Sequence, residues 1–159
     1  MQIDLEALTA RDRYKLLCGV VIPRPIAWVT TISADGVVNV APFSFFNVFG
    51  ADPATVILGL EHYADGTPKD TTRNIDETGE YTINILTPDL NDMMVATAAQ
   101  YSADISEAAA LGLVLCPSAK VAPPRLACAP VALECRKTMA LSLGPERSIM
   151  IGEAIALSA

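Results

Sequence analysis

Hydrophobic positions along this chain gather mainly in short runs of strand length, broken by clusters of turn residues. Ile26 to Ile32 is an apolar, β-branched run of strand length, and Ser33-Ala34-Asp35-Gly36 then supplies small residues where a hairpin must reverse. The second arm, Val37 to Phe46, is apolar on both parities. It is therefore predicted to be buried on most sides and to bend near Pro42, where a ladder donor is missing. Ala54 to Leu60 reads as a continuous buried strand with Gly59 at a bend. In Glu80 to Leu86, Tyr81, Ile83 and Ile85 share one side while Thr82 and Asn84 share the other. Val131 to Lys137 and Ser148 to Leu157 complete the strand set.

Helical spacing is shorter and more scattered. Asp4 to Leu17 predicts a lead-in helix on the outside of the sheet, with Thr9 or Asp12 able to cap a turn. A second short helix is predicted up to Thr78, capped by Asp70, Thr71 or Thr72 and closed by Gly79. Leu90 to Tyr101 and Ser102 to Leu111 read as two more, the latter stopped by Gly112, and Val121 to Arg125 is extended connecting chain. Roughly six strands joined by tight turns or helical excursions, without regular βαβ crossovers, favour a closed or split antiparallel barrel over a doubly wound sheet. Residues 1–159 are expected to form a single domain.

Composition narrows the function classes. Apolar residues make up 52% and charged residues 18%, which excludes a disordered chain. A formal charge of −7, with no block of Lys or Arg, argues against nucleic acid or an anionic membrane as partner. A strongly anionic ligand therefore requires a local cluster of donors. Cys18, Cys116, Cys128 and Cys135 have no CxxC spacing and are expected as reduced thiols; with His62 the lone histidine, a metal site is not expected. No apolar run approaches about 18 residues. The N-terminal stretch carries acidic Asp4 and Glu6, so a cytoplasmic location is expected.

Polar residues inside the apolar runs are the candidates for chemistry. Pro23 and Pro25 bracket Arg24 and hold it extended, so that it either pairs with a surface carboxylate or points into a ligand site. Thr30 and Thr31 are adjacent on a strand, so at most one can face a given pocket through its side chain. Ser44-Phe45-Phe46-Asn47 places two rings between a hydroxyl and an amide, a set that can serve the apolar faces and polar edges of a planar heteroaromatic ring. The competing reading is core phenylalanines, with Ser44 and Asn47 satisfying local backbone. Lys69-Asp70-Thr71 precedes the second helix. With no glycine-rich phosphate loop in the chain, its free N–H groups and the Lys69 charge are the best anion site on offer, the alternative being a plain capped helix.

RPIAWVTT (Arg24 to Thr31), NVAPFSFFN (Asn39 to Asn47), KDTTRNI (Lys69 to Ile75) and VAPPRLACAPVALEC (Val121 to Cys135), in that order, resemble the flavin reductase-like, FMN-binding split-barrel proteins, particularly the flavoredoxin-like branch. The resemblance implies a six-stranded Greek-key split barrel with a few flanking helices, and a homodimer with FMN near the subunit interface. It assigns Thr30 and Thr31 to the phosphate and ribityl side, Ser44, Phe45, Phe46 and Asn47 to the flavin ring, and Lys69, Asp70 and Thr71 to the phosphate. Arg24 falls at the ring edge or the nicotinamide pocket. It further implies hydride transfer from NAD(P)H to flavin, with free flavin or a redox partner protein as acceptor. No catalytic side chain is required, since the flavin itself carries the hydride. The alternative within the resemblance is a flavoredoxin-like electron carrier with little NAD(P)H turnover; outside it stands a barrel module without cofactor. Proteins of this kind continue beyond the last strand, and Ser158 stands where they carry a histidine.

Overall fold

The computed structural model describes residues 2–159. Its main sheet has seven segments: β1 (Ala27–Ile32), β2 (Val38–Phe43), β3 (Phe46–Ala51), β4 (Ala54–Glu61), β5 (Glu80–Ile85) and, after the separate ribbon of β6 (Leu115–Cys116) and β7 (Arg125–Leu126), β8 (Val131–Ser142) and β9 (Arg147–Ser158). Their order is β2-β1-β5-β8-β9-β4-β3, with every neighbouring pair antiparallel. The two outermost segments, β2 and β3, are consecutive in sequence and separated only by Ser44 and Phe45. The chain therefore leaves one edge of the sheet and becomes the other, which closes a split barrel. Counting β2 and β3 as one bent strand recovers the predicted six.

The bend lies at Ser44-Phe45 and not near Pro42. Pro42 pairs with Trp28 inside β2, an edge strand where a missing N–H can face away from the ladder. At the bend, the Gly59 N–H donates to the Phe45 carbonyl at 2.6 Å. Gly59 is needed because a Cβ there would lie 2.8 Å from the Phe45 Cβ, closer than side-chain carbons approach.

Strand alternation sorts the core into two layers. Ala27, Val29, Phe46, Leu58, Tyr81, Ile83 and Met150 fill the barrel, joined by Ile75 of α2 (Asp70–Thr78). Trp28 and Val40, from the opposite parity, face a second layer of Met94, Ala108, Leu113 and Leu126. That layer comes from α3 (Asn91–Ala96), α4 (Glu107–Ala110) and the small ribbon of β6 (Leu115–Cys116) with β7 (Arg125–Leu126). The Trp28 Nε1–H donates to Thr97 Oγ1 at 2.9 Å, fastening the end of α3 to β1. Thr82 and Asn84 face this side as expected: Thr82 Oγ1 donates to the Pro123 carbonyl, and Asn84 Oδ1 accepts from the Leu126 N–H.

Helix bounds differ from the sequence expectation in four places. The lead-in helix α1 is Ala10–Val20, with Thr9 as its cap, accepting from the Asp12 N–H. Leu90 to Tyr101 is helical only to Ala96, after a 3-10 turn at Pro88–Leu90, and the segment from Ser102 contributes only α4. In α2 the capping residue is Lys69, without a side-chain cap, in place of Asp70, Thr71 or Thr72. Gly79 does close α2, at φ +73° with its N–H on the Ile75 carbonyl. All four cysteines are free thiols, and no metal-ligating cluster occurs among the described residues.

Candidate functional site

Two cavities open at the barrel seam and share Tyr14, Ser44 and Phe45. The first, of about 270 Å³, lies between β2, the opening turn of α2 and the turn after α3, and brings Asn39, Ser44, Phe45, Lys69, Asp70, Thr71 and Glu107 to one wall. The second, of about 730 Å³, lies between α1, β4 and the start of β9, and is lined by Arg24, Phe45, Phe46, Asn47 and Arg147 among others. The Ser44-Phe45 bend is thus the partition between them.

Each wall of the first cavity follows from local sequence. Lys69 adopts extended backbone before α2. Its ammonium lies 5.9 Å from the centre of the Tyr63 ring and 3.9 Å from Glu61 Oε2. Because no side chain caps α2, its opening N–H groups and the positive end of its dipole are left for another acceptor. Asp70 does not use its carboxylate there: it pairs with Arg73 one turn on. Thr71, only 3% exposed, accepts from Asn39 Nδ2 at 2.8 Å. A buried relay continues beneath, with Asn74 Nδ2 donating to Thr31 Oγ1 at 3.0 Å and Asn39 Nδ2 reaching the same hydroxyl at 3.4 Å. Asn39 stands opposite Thr31 in the β1–β2 register, which is why the two meet.

The electrostatics are mixed. Lys69 is accompanied by the carboxylates of Glu61, Asp70 and Glu107. Glu107 is the buried one, its Oε2 accepting from the Val40 N–H at 2.9 Å. Burial raises its pKa above the ordinary glutamate value, and the nearby Asp70 charge pushes the same way against the hydrogen bond. A protonated Glu107 would leave Lys69 and the helix end more attractive to an anion.

The sequence candidates therefore divide. Ser44, Phe45, Lys69, Asp70 and Thr71 line the first cavity, and Ser44, Phe45, Phe46, Asn47 and Arg24 line the second. Thr30 and Thr31 line neither. Both are fully buried; Thr30 Oγ1 donates to the Pro124 carbonyl, on the face away from the barrel, and Thr31 supports Asn39 and Asn74 from below. Asn47 Oδ1 is occupied by the N–H of Val48, the local-backbone alternative anticipated for it. Arg24 pairs with no carboxylate among the described residues: its Nη1 donates to the carbonyls of Cys18 and Val21, both at 2.6 Å, and so caps the end of α1.

Asn39, Tyr14 and Glu107 are cavity residues that sequence reasoning did not assign. Asn39 had a signal, since it opens the NVAPFSFFN run at the strand position facing Thr31. Tyr14 reads only as a helix-face residue, although its ring meets Phe45 edge-on with centroids 6.1 Å apart. Nothing local marks Glu107, which arrives through α4.

The donor set suits a flavin mononucleotide in kind. A cation and an uncapped helix end face one cavity, an aromatic partition adjoins it, and the cavities together fall in the range of about 300–1,000 Å³ typical of ligand sites.

Residues 20–159 match the family model described as flavin reductase like domain. An uncharacterized protein of Deinococcus radiodurans is 42% identical over 158 residues, covering 97% of this chain and 69% of that protein. Among solved structures, the Pseudomonas fluorescens 2-nitrobenzoate 2-nitroreductase NbaA superposes with a TM-score of 0.91 at 35% identity, over 99% of this chain and 76% of that one. Nitrilotriacetate monooxygenase component B from Bacillus cereus gives 0.95 at 32% identity, over 100% of this chain and 81% of that one.

Proposed function

Because this chain belongs to the flavin reductase-like family and is a flavin-related oxidoreductase, we propose that it holds FMN at the barrel seam and passes hydride from NAD(P)H to flavin. The observation that carries this reading is the meeting of Lys69, the uncapped start of α2, Ser44 and Phe45 at one cavity, although they come from separate parts of the chain. In this reading the Lys69 ammonium and the opening N–H groups of α2 hold the phosphate, and Asn39 keeps the Thr71 hydroxyl in place beside it. Ser44 and the Phe45 ring, shared by both cavities, flank the ring system, while Phe46 and Asn47 bound its far side. Asp70 contributes its N–H and keeps Arg73 in place, since a carboxylate turned toward a phosphate would repel it. Thr31 acts one layer below, through Asn39 and Asn74, and Thr30 serves packing.

FMN, when bound, supplies the hydride chemistry, taking two electrons from a nicotinamide and releasing them to an acceptor. The chain's own residues orient the donor and exclude water, and Arg24 adds positive charge at the second cavity. Free flavin or a redox partner protein is the proposed acceptor. Val48 and Phe49 on β3 are 63% and 77% exposed beside Asn47, which supports a homodimer built on that edge. No helix among the described residues is long and apolar enough to cross a membrane; a cytoplasmic location is part of the proposal.

Titration of flavin-free protein with FMN and with riboflavin tests the site. Lys69→Ala is expected to weaken FMN by about 1.5–3 kcal/mol, the worth of a hydrogen bond to a charged group, and to leave riboflavin nearly unchanged. Equal losses for both ligands would remove Lys69 from the phosphate. Anaerobic addition of NADH or NADPH to the yellow protein is expected to bleach it rapidly; slow or absent bleaching would favour the flavoredoxin-like electron carrier.

A further inference from the structure

A third cavity, of about 340 Å³, opens beside the other two and is lined by Ala10, Arg11 and Tyr14 of α1, Glu61 at the end of β4 and Arg147 at the start of β9. It shares Ala10, Tyr14 and Arg147 with the second cavity. In a chain of charge −7, two guanidinium groups from separate elements meet here over one carboxylate in the lining. That carboxylate is divided, since Glu61 Oε1 takes Arg147 at 2.9 Å and Oε2 lies 3.9 Å from Lys69. Arg147 is anchored at the seam, its guanidinium 5.9 Å from the centre of the Phe45 ring. Arg11 is exposed and forms no ion pair among the described residues. Its sequence neighbour Asp12 is engaged elsewhere, accepting from the Thr9 hydroxyl at 2.7 Å, and Arg13 is held by the carbonyls of Leu5 and Leu8.

Two arginine forks over a shared, half-spent carboxylate suit a group that is anionic on every side, and a phosphate monoester is such a group. The border shared with the second cavity lets one ligand reach both. We propose that the third cavity receives the ribose 2′-phosphate of NADPH, and that Arg11 and Arg147 make the chain prefer NADPH to NADH. The inference rests on the hydride-transfer reading of the neighbouring cavity and names which of the two donors it takes. The nicotinamide and pyrophosphate are common to both donors, so discrimination must fall on the 2′ position, where NADPH carries a dianion and NADH a hydroxyl.

The test has two arms. In the first, the flavin-loaded chain is reduced anaerobically by NADPH and by NADH. Its kcat/KM for NADPH is expected to be about tenfold or more the higher, as charge-assisted contacts to one added phosphate require. Arg11→Gln, an exposed position whose change spares the core, is expected to cost NADPH about tenfold and to leave NADH nearly unchanged. In the second arm, which needs no hydride transfer, the whole chain is titrated calorimetrically with 2′,5′-ADP and with 5′-AMP, which differ in the 2′-phosphate alone. The 2′-phosphate is expected to add about tenfold or more in affinity, an advantage that Arg11→Gln removes. Equal use of the two donors overturns the proposal, as does equal affinity for 2′,5′-ADP and 5′-AMP. Equal losses for NADPH and NADH in Arg11→Gln overturn it too, since the arginine would then serve the pyrophosphate. A chain that neither donor reduces counts against the hydride-transfer reading, and the titrations with 2′,5′-ADP and 5′-AMP then decide this one.

Discussion

At the scale of single residues, the seam depends on contacts that tolerate no added atom. Gly59 lets β4 run beneath Phe45, and a methyl group there would meet the Phe45 Cβ at 2.8 Å and its ring carbons at 3.4 and 3.5 Å. Gly59→Ala is therefore expected to lose about 1–3 kcal/mol of stability in denaturant unfolding, the usual cost of overpacking. FMN retention should fall with it, because Phe45 must move. Gly19→Ala, with open space around the position, is the control and should lose neither. Unchanged stability in Gly59→Ala would show that the bend relaxes freely. The need for glycine at this point was half legible: the sequence suggested a bend in β4, but the partner across the seam comes from another strand. Adjacent Thr30 and Thr31 had to face opposite ways, which was legible too. That neither reaches a cavity depends on Pro124, Asn39 and Asn74, which arrive from distant segments.

At the scale of elements, α2 is anchored to the β1–β2 hairpin by the buried Asn39, Thr31, Asn74 and Thr71 relay, and not by a cap of its own. Thr31→Val removes the hydroxyl that accepts from Asn74 and leaves a buried amide donor unpaired, at a cost of about 1–3 kcal/mol. Since α2 would then shift relative to Lys69 and Ser44, FMN should weaken more than riboflavin, and Thr31→Ser should restore both; parallel titrations and unfolding curves check this. Stability loss with an unchanged FMN-to-riboflavin ratio would confine Thr31 to packing. The strands and α2 could be read from the sequence because strand-length apolar runs and Gly79 are local signals. The extents of α3 and α4 could not. Helical spacing continues past Ala96, but the Thr97 hydroxyl donates to the Met94 carbonyl and accepts from Trp28, and the following turn opens the first cavity.

For the whole molecule, a charge of −7 bears on how the proposed phosphate is held, and Glu107 is where that charge meets pH. Below the ordinary glutamate value of 4.5, folded and unfolded chains both carry its proton, and its burial carries no charge penalty. As pH rises from there through the higher folded value, the unfolded chain ionises first, and the folded state loses stability. Glu107→Gln, whose amide oxygen can still accept from Val40, removes this titration. Its melting temperature relative to the unsubstituted chain should therefore climb as pH rises from 4.5 to neutrality; a constant difference across that range would rule the effect out. The barrel itself was legible from six strand-length runs, whereas its seventh segment was missed because the second arm was read to end at Phe46, where β3 begins.

Those two edges meet in only Ser44 and Phe45, and the shared wall of the two cavities, the proposed ligand wall, and the barrel's fastening are the same short piece of chain. A guest lodged against it works as a clasp, gripping both rims of the β-layer at once. Whatever tightens the guest also tightens the hoop, so occupancy and resistance to melting should rise together.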